Sequence, residues 1–191
     1  MELEIVAPAS ILAEMNEERS LVERAKTDRK AFALLYRTHY RPIAGYIYRR
    51  VGDVHATEDL VADVFTAAMQ ALPRYRHRGL PVRAWLFRIA SNRVNRWARQ
   101  QRRRATTPLD GEEAARQTSP AGGTSRLDDA RAALLTLPPK YQTALALHYL
   151  EGMPIEEVAL ATGCRVGTVK SRLARGREAL RRRLEQRRFQ S

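Results

Sequence analysis

A chain of 191 residues, 44% hydrophobic and 29% charged, suits one or two small soluble domains, and 34 Lys and Arg against 21 Asp and Glu give a formal net charge of +13. Such a surplus repels itself in a compact state, so a polyanionic partner is expected, nucleic acid ahead of a membrane surface. No apolar run approaches the roughly 20 residues of a membrane span, the acid-bearing start from Glu2 to Glu18 lacks the basic opening of a secretory signal, and a lone Cys164 excludes an intrachain disulfide or a cysteine zinc cluster.

Residues 1–20 read as an N-terminal tail, and a first domain is expected over 21–104. Asp28 is placed to N-cap a helix through Ala31, Phe32, Leu35 and Tyr36, which continues weakly to Val51 despite Pro42 and Gly45. Leu60, Val61, Val64, Phe65, Ala68 and Leu72 form a second helical stripe that Pro73 ends. Near its start stand Glu58, Asp59 and Asp63, which read either as compensation of the helix dipole or as a protein-docking face kept acidic so that DNA is not its partner.

After a loop over 74–81, a third helix runs from Val82 to about Arg103 with Trp85, Leu86, Ile89, Val94 and Trp97 as apolar positions. It carries Arg83, Arg88, Arg93, Arg96, Arg99, Arg102, Arg103 and Arg104 with no acid among them. Cations, aromatics and an amide together are the equipment for holding unstacked bases. The two tryptophan rings read rather as core, which leaves Asn92 as the better base-contact candidate.

Residues 105–126 hold Pro108, Gly111, Pro120, Gly122 and Gly123 with almost no large apolar side chain. Such a stretch cannot offset its ordering entropy by burial and reads as a flexible linker. A second domain is expected over 127–191. The overall fold class is therefore all-α: two small helical domains on a tether.

In the second domain, Pro138 and Pro139 open a helix carrying Tyr141, Ala144, Leu145, Leu147, Tyr149 and Leu150, which Gly152 closes. A short helix with Ile155, Val158 and Ala159 on one face ends at Gly163, and a long basic helix starts near Gly167. Short helix, glycine-containing turn and second helix is the helix-turn-helix pattern. Val166, Val169, Leu173, Leu180 and Leu184 are expected to pack inward. Thr168, Lys170, Ser171, Arg172, Ala174 and Arg175 mostly take the remaining surface, where Arg, Lys and Ser can reach phosphates and base edges. The Arg181–Arg183 run reads equally as a solvated helix end or as DNA contact.

These residues resemble a known family. Thr57-Glu58-Asp59-Leu60-Val61-Ala62-Asp63-Val64-Phe65 with Arg83-Ala84-Trp85-Leu86-Phe87-Arg88-Ile89-Ala90-Ser91-Asn92 resembles the −10-binding domain of extracytoplasmic-function sigma factors of the sigma-70 family. Leu137 to Gln142, Leu150 to Met153, Glu156 to Ala159 and Gly167 to Leu173 are similar to that family's −35-binding domain. The resemblance implies a protein that binds core RNA polymerase through the clamp helices and flap of its large subunits. Such a protein directs the enzyme to promoter DNA and helps open it, and is itself neither an enzyme nor in need of a cofactor or metal. By position, Glu58, Asp59 and Asp63 would dock on polymerase. Arg88, Asn92, Arg93 and Arg96 would contact the −10 strand, and Thr168, Lys170, Ser171, Arg172 and Arg175 the −35 element. An anti-sigma protein is a further implied partner, with action in the cytoplasm and no stable membrane insertion. Three departures stand out: Ala62 where a polar residue is usual, a segment Tyr75 to Pro81 about one residue longer than the common pattern, and Ala174 where a bulky residue is frequent.

Two other classes remain open on the residues alone. A stand-alone regulator would explain the helix-turn-helix and the charge, but not the cationic, aromatic helix around Asn92. A nucleic-acid enzyme would need a Walker loop, a His-Glu-x-x-His or a cysteine metal spacing, and the chain has none of them; His39, His55, His77 and His148 are scattered.

Overall fold

The computed structural model describes residues 9–76, 81–106 and 126–188. Their regular structure is helical, in the expected all-α class: α1 (Ala9–Ala25), α2 (Arg29–Val51), α3 (Val54–Ala71) with a 3-10 turn at Leu72–Arg74, α4 (Val82–Thr106), α5 (Arg126–Leu135), α6 (Pro139–Leu145) running into a π-helical turn at Ala146–Leu150, α7 (Ile155–Thr162) and α8 (Val166–Arg188). The boundary expected at residue 20 falls inside α1. Of the expected linker, Ala105 and Thr106 finish α4 and Arg126 begins α5, and 107–125 lie outside the described residues.

Local chemistry sets the helix ends. Asp28 N-caps α2 as expected, its carboxylate accepting from Lys30 N at 2.8 Å. Gly52 ends α2 at φ 81°, and Asp53 at once caps α3 by accepting from Ala56 N at 2.7 Å. Gly52 and Asp53 thus make a two-residue hinge between two long helices, one residue supplying the left-handed backbone and the next the cap. Gly163 does the same for α7 at φ 65°.

In the first half, α2 packs on α1, α3 and α4. Val22, Ala25, Ala31, Leu35, Leu72 and Val82 form a buried cluster at one end. Glu18 of α1 accepts from the backbone N–H of Val82, so a residue of the expected tail caps the start of α4. In the second half α6 lies very close to α8: a Cβ at Gly176 would sit 3.1 Å from Leu145 Cδ1 and 3.3 Å from Tyr141 Cβ.

One apolar expectation is corrected. Val166 is 36% exposed rather than inward, because it is the first residue of α8 and the buried row begins one turn later at Val169 and Leu173. Beyond that expectation, Tyr149 and Leu150 are half exposed on the π-turn, which Glu151 N closes by donating to Ala146 O at 3.1 Å.

The halves are not merely tethered. One apolar cluster runs through both, taking Ile43, Tyr46 and Phe87 from the first and Leu134, Met153 and Val158 from the second, and α4 packs along α7. Short side chains buried on each helix, Ala84 and Ala90 on α4 and Ala159 and Ala161 on α7, favour close packing.

Gly52→Ala is expected to cost about 1–2 kcal/mol in urea unfolding, because alanine is strained at this left-handed φ. His39 is pushed down to about 4, first by burial and then by the Arg83 charge. The unfolded chain protonates near 6.5 while the folded one resists, so the stability this group supports is whole above pH 6.5 and is lost as pH falls toward 4. Urea midpoints at pH 7 and pH 5 should differ less in His39→Gln than in the parent chain.

Candidate nucleic-acid and protein interfaces

On α8, Thr168, Lys170, Ser171 and Arg175 are exposed, and Arg172 is half-buried on the flank of the same face. Val169, Leu173 and Gly176 hold the opposite side of the helix inward, which aims the cationic side at solvent. Ser171 Oγ donates to Thr168 O at 2.9 Å and keeps its lone pairs available as acceptors. The Arg181–Arg183 run divides. Arg181 is bonded to Glu178 and Glu185, and Arg182 to Glu178 at 2.8 Å, within one helix face. These bonds hold Glu178 below the usual carboxylate range and favour the helix-end reading for Arg181 and Arg182. Arg182 and Arg183 both line a groove with Arg175 and Tyr141, and Arg183 has no ion pair among the described residues.

On α4, Arg88, Asn92 and Arg96 are exposed and Arg93 is half-buried. Asn92 makes no side-chain hydrogen bond among the described residues. Asn95, three residues on, accepts from Arg50 Nη2 at 3.0 Å and is engaged within the fold. The rings of Trp85 and Trp97 pack against the core, and Trp85 also meets Tyr75 at 4.7 Å between centroids. Burial, then Glu18 and Glu23, push the Tyr75 phenol up to about 12, so it stays neutral. Of the segment from Tyr75 to Pro81, His77 to Leu80 lie outside the described residues.

Glu58, Asp59 and Asp63 are all exposed on α3. The acids are less segregated than their sequence positions suggest. Asp59 and Asp63 line a groove with Arg93, Arg96, Trp97 and Gln100, because α3 and α4 lie side by side. No ion pair joins the two sets among the described residues, so both signs of charge remain available. α2 also exposes Tyr36 and Tyr40, and the Tyr36 ring meets Phe65 of α3 at a tilt of 60°, with 4.6 Å between centroids.

Reading the sequence missed the polar residues that join the halves. Arg50 is buried, and its guanidinium donates to Tyr46 Oη and Thr143 Oγ1 at 3.0 Å as well as to Asn95. Tyr46 Oη lies 2.9 Å from Ser91 Oγ. Arg83 forms a two-pronged bond to Glu157, at 2.7 and 3.0 Å, and Arg49 pairs with Glu151. Burial raises the Glu151 carboxyl above its ordinary range despite the opposing Arg49 charge. A signal was present: Ile43, Tyr46, Ile47 and Arg50 share one helical stripe, so the arginine stands where an apolar residue is expected.

Among known proteins, residues 35–104 match the model of Sigma-70 region 2 and residues 127–180 that of Sigma-70, region 4. The chain is 31% identical over 181 residues to the RNA polymerase sigma-H factor of Pseudomonas aeruginosa, covering 86% of this chain and 92% of that one. It is 32% identical over 186 residues to the ECF RNA polymerase sigma-E factor of Escherichia coli strain K12, covering 88% and 95%. Its fold is similar to the sigma factor RpoE solved with the anti-sigma factor NepR from Bartonella quintana, at a TM-score of 0.62 and 24% identity over 82% of this chain and 98% of that chain.

Arg50→Ala is expected to destabilise the protein by about 1–3 kcal/mol, because it leaves buried hydroxyl and amide partners unpaired. Arg182→Ala should change stability by no more than about 0.5 kcal/mol, its bond being exposed. Paired urea titrations compare the two.

Proposed function

The chain belongs to the sigma-70 family of RNA polymerase sigma factors, in its extracytoplasmic-function class, and from that premise we propose how its surfaces divide the work of promoter-specific initiation. As a member of the family it directs RNA polymerase to specific promoters through −10 and −35 recognition. The observation that carries the residue assignments is the placement of two exposed cationic faces on separate helices, α4 and α8, beside an acidic rim on α3.

In this reading α8 supplies position. Thr168 meets a phosphate, Lys170, Ser171 and Arg175 read the −35 major groove, and Arg172 supports them from the flank. Asn92 holds an unstacked −10 base, and Arg88, Arg93 and Arg96 hold the strand's phosphates. Support for Asn92 comes from its free amide on a cationic helix, in contrast to the engaged Asn95. Glu58, Asp59 and Asp63 dock on the clamp helices of core polymerase, and the second domain meets the flap. The carboxylates repel DNA phosphate, so the groove shared with Arg93 and Arg96 sorts protein from nucleic acid along its two walls. Ala62 is exposed between Asp59 and Asp63 and adds no polar contact to that wall.

The protein acts by binding rather than by catalysis, needs no cofactor, and works in the cytoplasm where polymerase and DNA are. No described helix is long and apolar enough to cross a membrane. An anti-sigma protein is a further proposed partner, and a sigma factor of this fold has been solved with one.

The test is run-off transcription. The chain alone should show little sequence-specific duplex binding, and core polymerase should confer specific initiation. Absence of specific run-off across a promoter library with core polymerase present would overturn the reading. Arg175→Ala should cost about 1–3 kcal/mol of −35 binding and relax sequence preference there, whereas Arg182→Ala should not. Asn92→Ala should leave duplex binding nearly intact and impair open-complex formation, read by permanganate reactivity of unpaired thymines. Equal loss at both stages would make Asn92 structural.

A further inference from the structure

We propose that the groove between α6 and the C-terminal half of α8 holds a phosphodiester strand of the duplex flanking the −35 element, with Arg183 as its main cation and Lys140 as the second. The proposal rests on the promoter-reading role given above and lengthens the surface that α8 offers to DNA.

The groove follows from three short residues. Gly176 lets α6 come so close to α8 that a Cβ there would sit 3.3 Å from Tyr141 Cβ. Tyr141 therefore stands as a wall along α8, and Ala174 and Ala179 leave the space beside it unfilled. Arg175, Glu178, Arg182 and Arg183 also line it. Lys140, exposed on α6, holds its Nζ 5.1 Å from the centroid of the Tyr141 ring, which brings a further cation to the wall.

The charge of the groove is that of an anion site. Three arginines face one carboxylate in the lining, and that carboxylate is already bonded to Arg181 and Arg182 within the helix. Arg183 and Lys140 are exposed and have no ion pair among the described residues. A guanidinium so placed suits a phosphate, which accepts two of its N–H bonds in a fixed fork.

The position of Arg183 on α8 identifies which phosphate. At about 100° per residue, Thr168, Arg175, Ala179 and Arg183 fall within about 80° of the helix circumference, so the groove continues the face assigned to the −35 element. From Thr168 to Arg175 the axis rises about 10 Å, close to the ~12 Å width of a major groove. Arg183 stands about 12 Å further on. There the helix has passed out of the groove, and the sugar-phosphate strand at the rim is what it meets next. Such a contact carries no sequence information; it fixes the register in which Ser171 and Arg175 meet base edges. An acidic protein surface would match the charge as well, but the stripe shared with Thr168 and Arg175 sets DNA beside the groove.

The experiment uses holoenzyme assembled from the full-length chain and core polymerase, on a promoter duplex that the parent holoenzyme selects from a random library. Affinity is measured across a range of KCl concentrations. Arg183→Ala should weaken binding several-fold, by the same factor on promoters that differ only within the −35 element, and should reduce the slope of log K against log salt by about 1. Arg183→Lys should keep most of the slope, and Arg182→Ala should leave it unchanged. Neutral methylphosphonate linkages within four positions of one end of the −35 element should weaken the parent and add nothing to Arg183→Ala, the coupling expected of two groups in contact. Equal urea midpoints for Arg183→Ala and parent exclude a loss of fold. An unchanged slope in Arg183→Ala, or equal losses by parent and variant on the neutral linkages at either end, would overturn the strand contact. So would a loss of core-polymerase affinity with DNA binding intact, which would give the groove to an acidic protein surface. Run-off from the selected promoter separates the two levels: its failure in the parent counts against promoter reading, whereas normal run-off with an unchanged slope counts against the strand contact alone.

Discussion

A guanidinium with almost no access to water sets the terms for the rest of the molecule. Arg50 sits where α2, α4 and α6 converge, and a charge so placed is tolerable only if fixed dipoles replace its hydration. Tyr46, Asn95 and Thr143 do so, one from each helix, and Ser91 steadies the tyrosine hydroxyl. Satisfying this one side chain therefore fixes how α4 sits on α2 and how the second half sits on both. The direction in which Asn92 and the neighbouring arginines of α4 point follows from that seating. So does the closed arrangement of the two halves, since Thr143 belongs to one and Arg50 to the other.

Charge is sorted at short range rather than by domain. The strongly basic chain places several of its carboxylates where they meet an arginine or cap a helix. Glu157 and Glu151 serve the joint, Glu178 and Glu185 quieten the end of α8, and Asp59 and Asp63 on α3 have no ion pair among the described residues. Among the described residues, Arg88 and Arg96 on α4 and Lys170 and Arg175 on α8 are exposed cations without an ion pair. A surface of that kind binds polyanions broadly and weakly by itself, and gains sequence selectivity when a second body fixes the spacing of its two faces. Polymerase is that body for a sigma factor.

Most helices were legible because their signals are local. Asp28 before an apolar stripe, Pro73 after one, and Gly163 between a short and a long helix each act within a turn, and each stands where it was read. The family motifs were legible for the same reason, being compact and contiguous. What escaped was set by distant partners. α1 looked like a polar tail because its acids dominate its composition, yet Glu18 is held by the start of α4, 64 residues away. The joint between the halves was invisible because Arg83 and Glu157 are 74 positions apart, and each alone looks like an ordinary surface charge. The groove that Asp59 and Asp63 share with Arg93 and Arg96 was equally hidden, because sequence does not show that α3 lies against α4. Arg50 was the exception, a long-range residue with a local sign, since it interrupts a buried stripe.

The central claim is that one chain reads two promoter elements, with core polymerase setting the distance between them. Selection of DNA from a fully randomised duplex library, carried out in parallel with the free chain and with the holoenzyme, tests it most directly. The account predicts two conserved blocks at a fixed separation in the holoenzyme pool and no such pair in the free-chain pool. A single block enriched equally in both pools would contradict it, and would make the chain a stand-alone operator-binding protein.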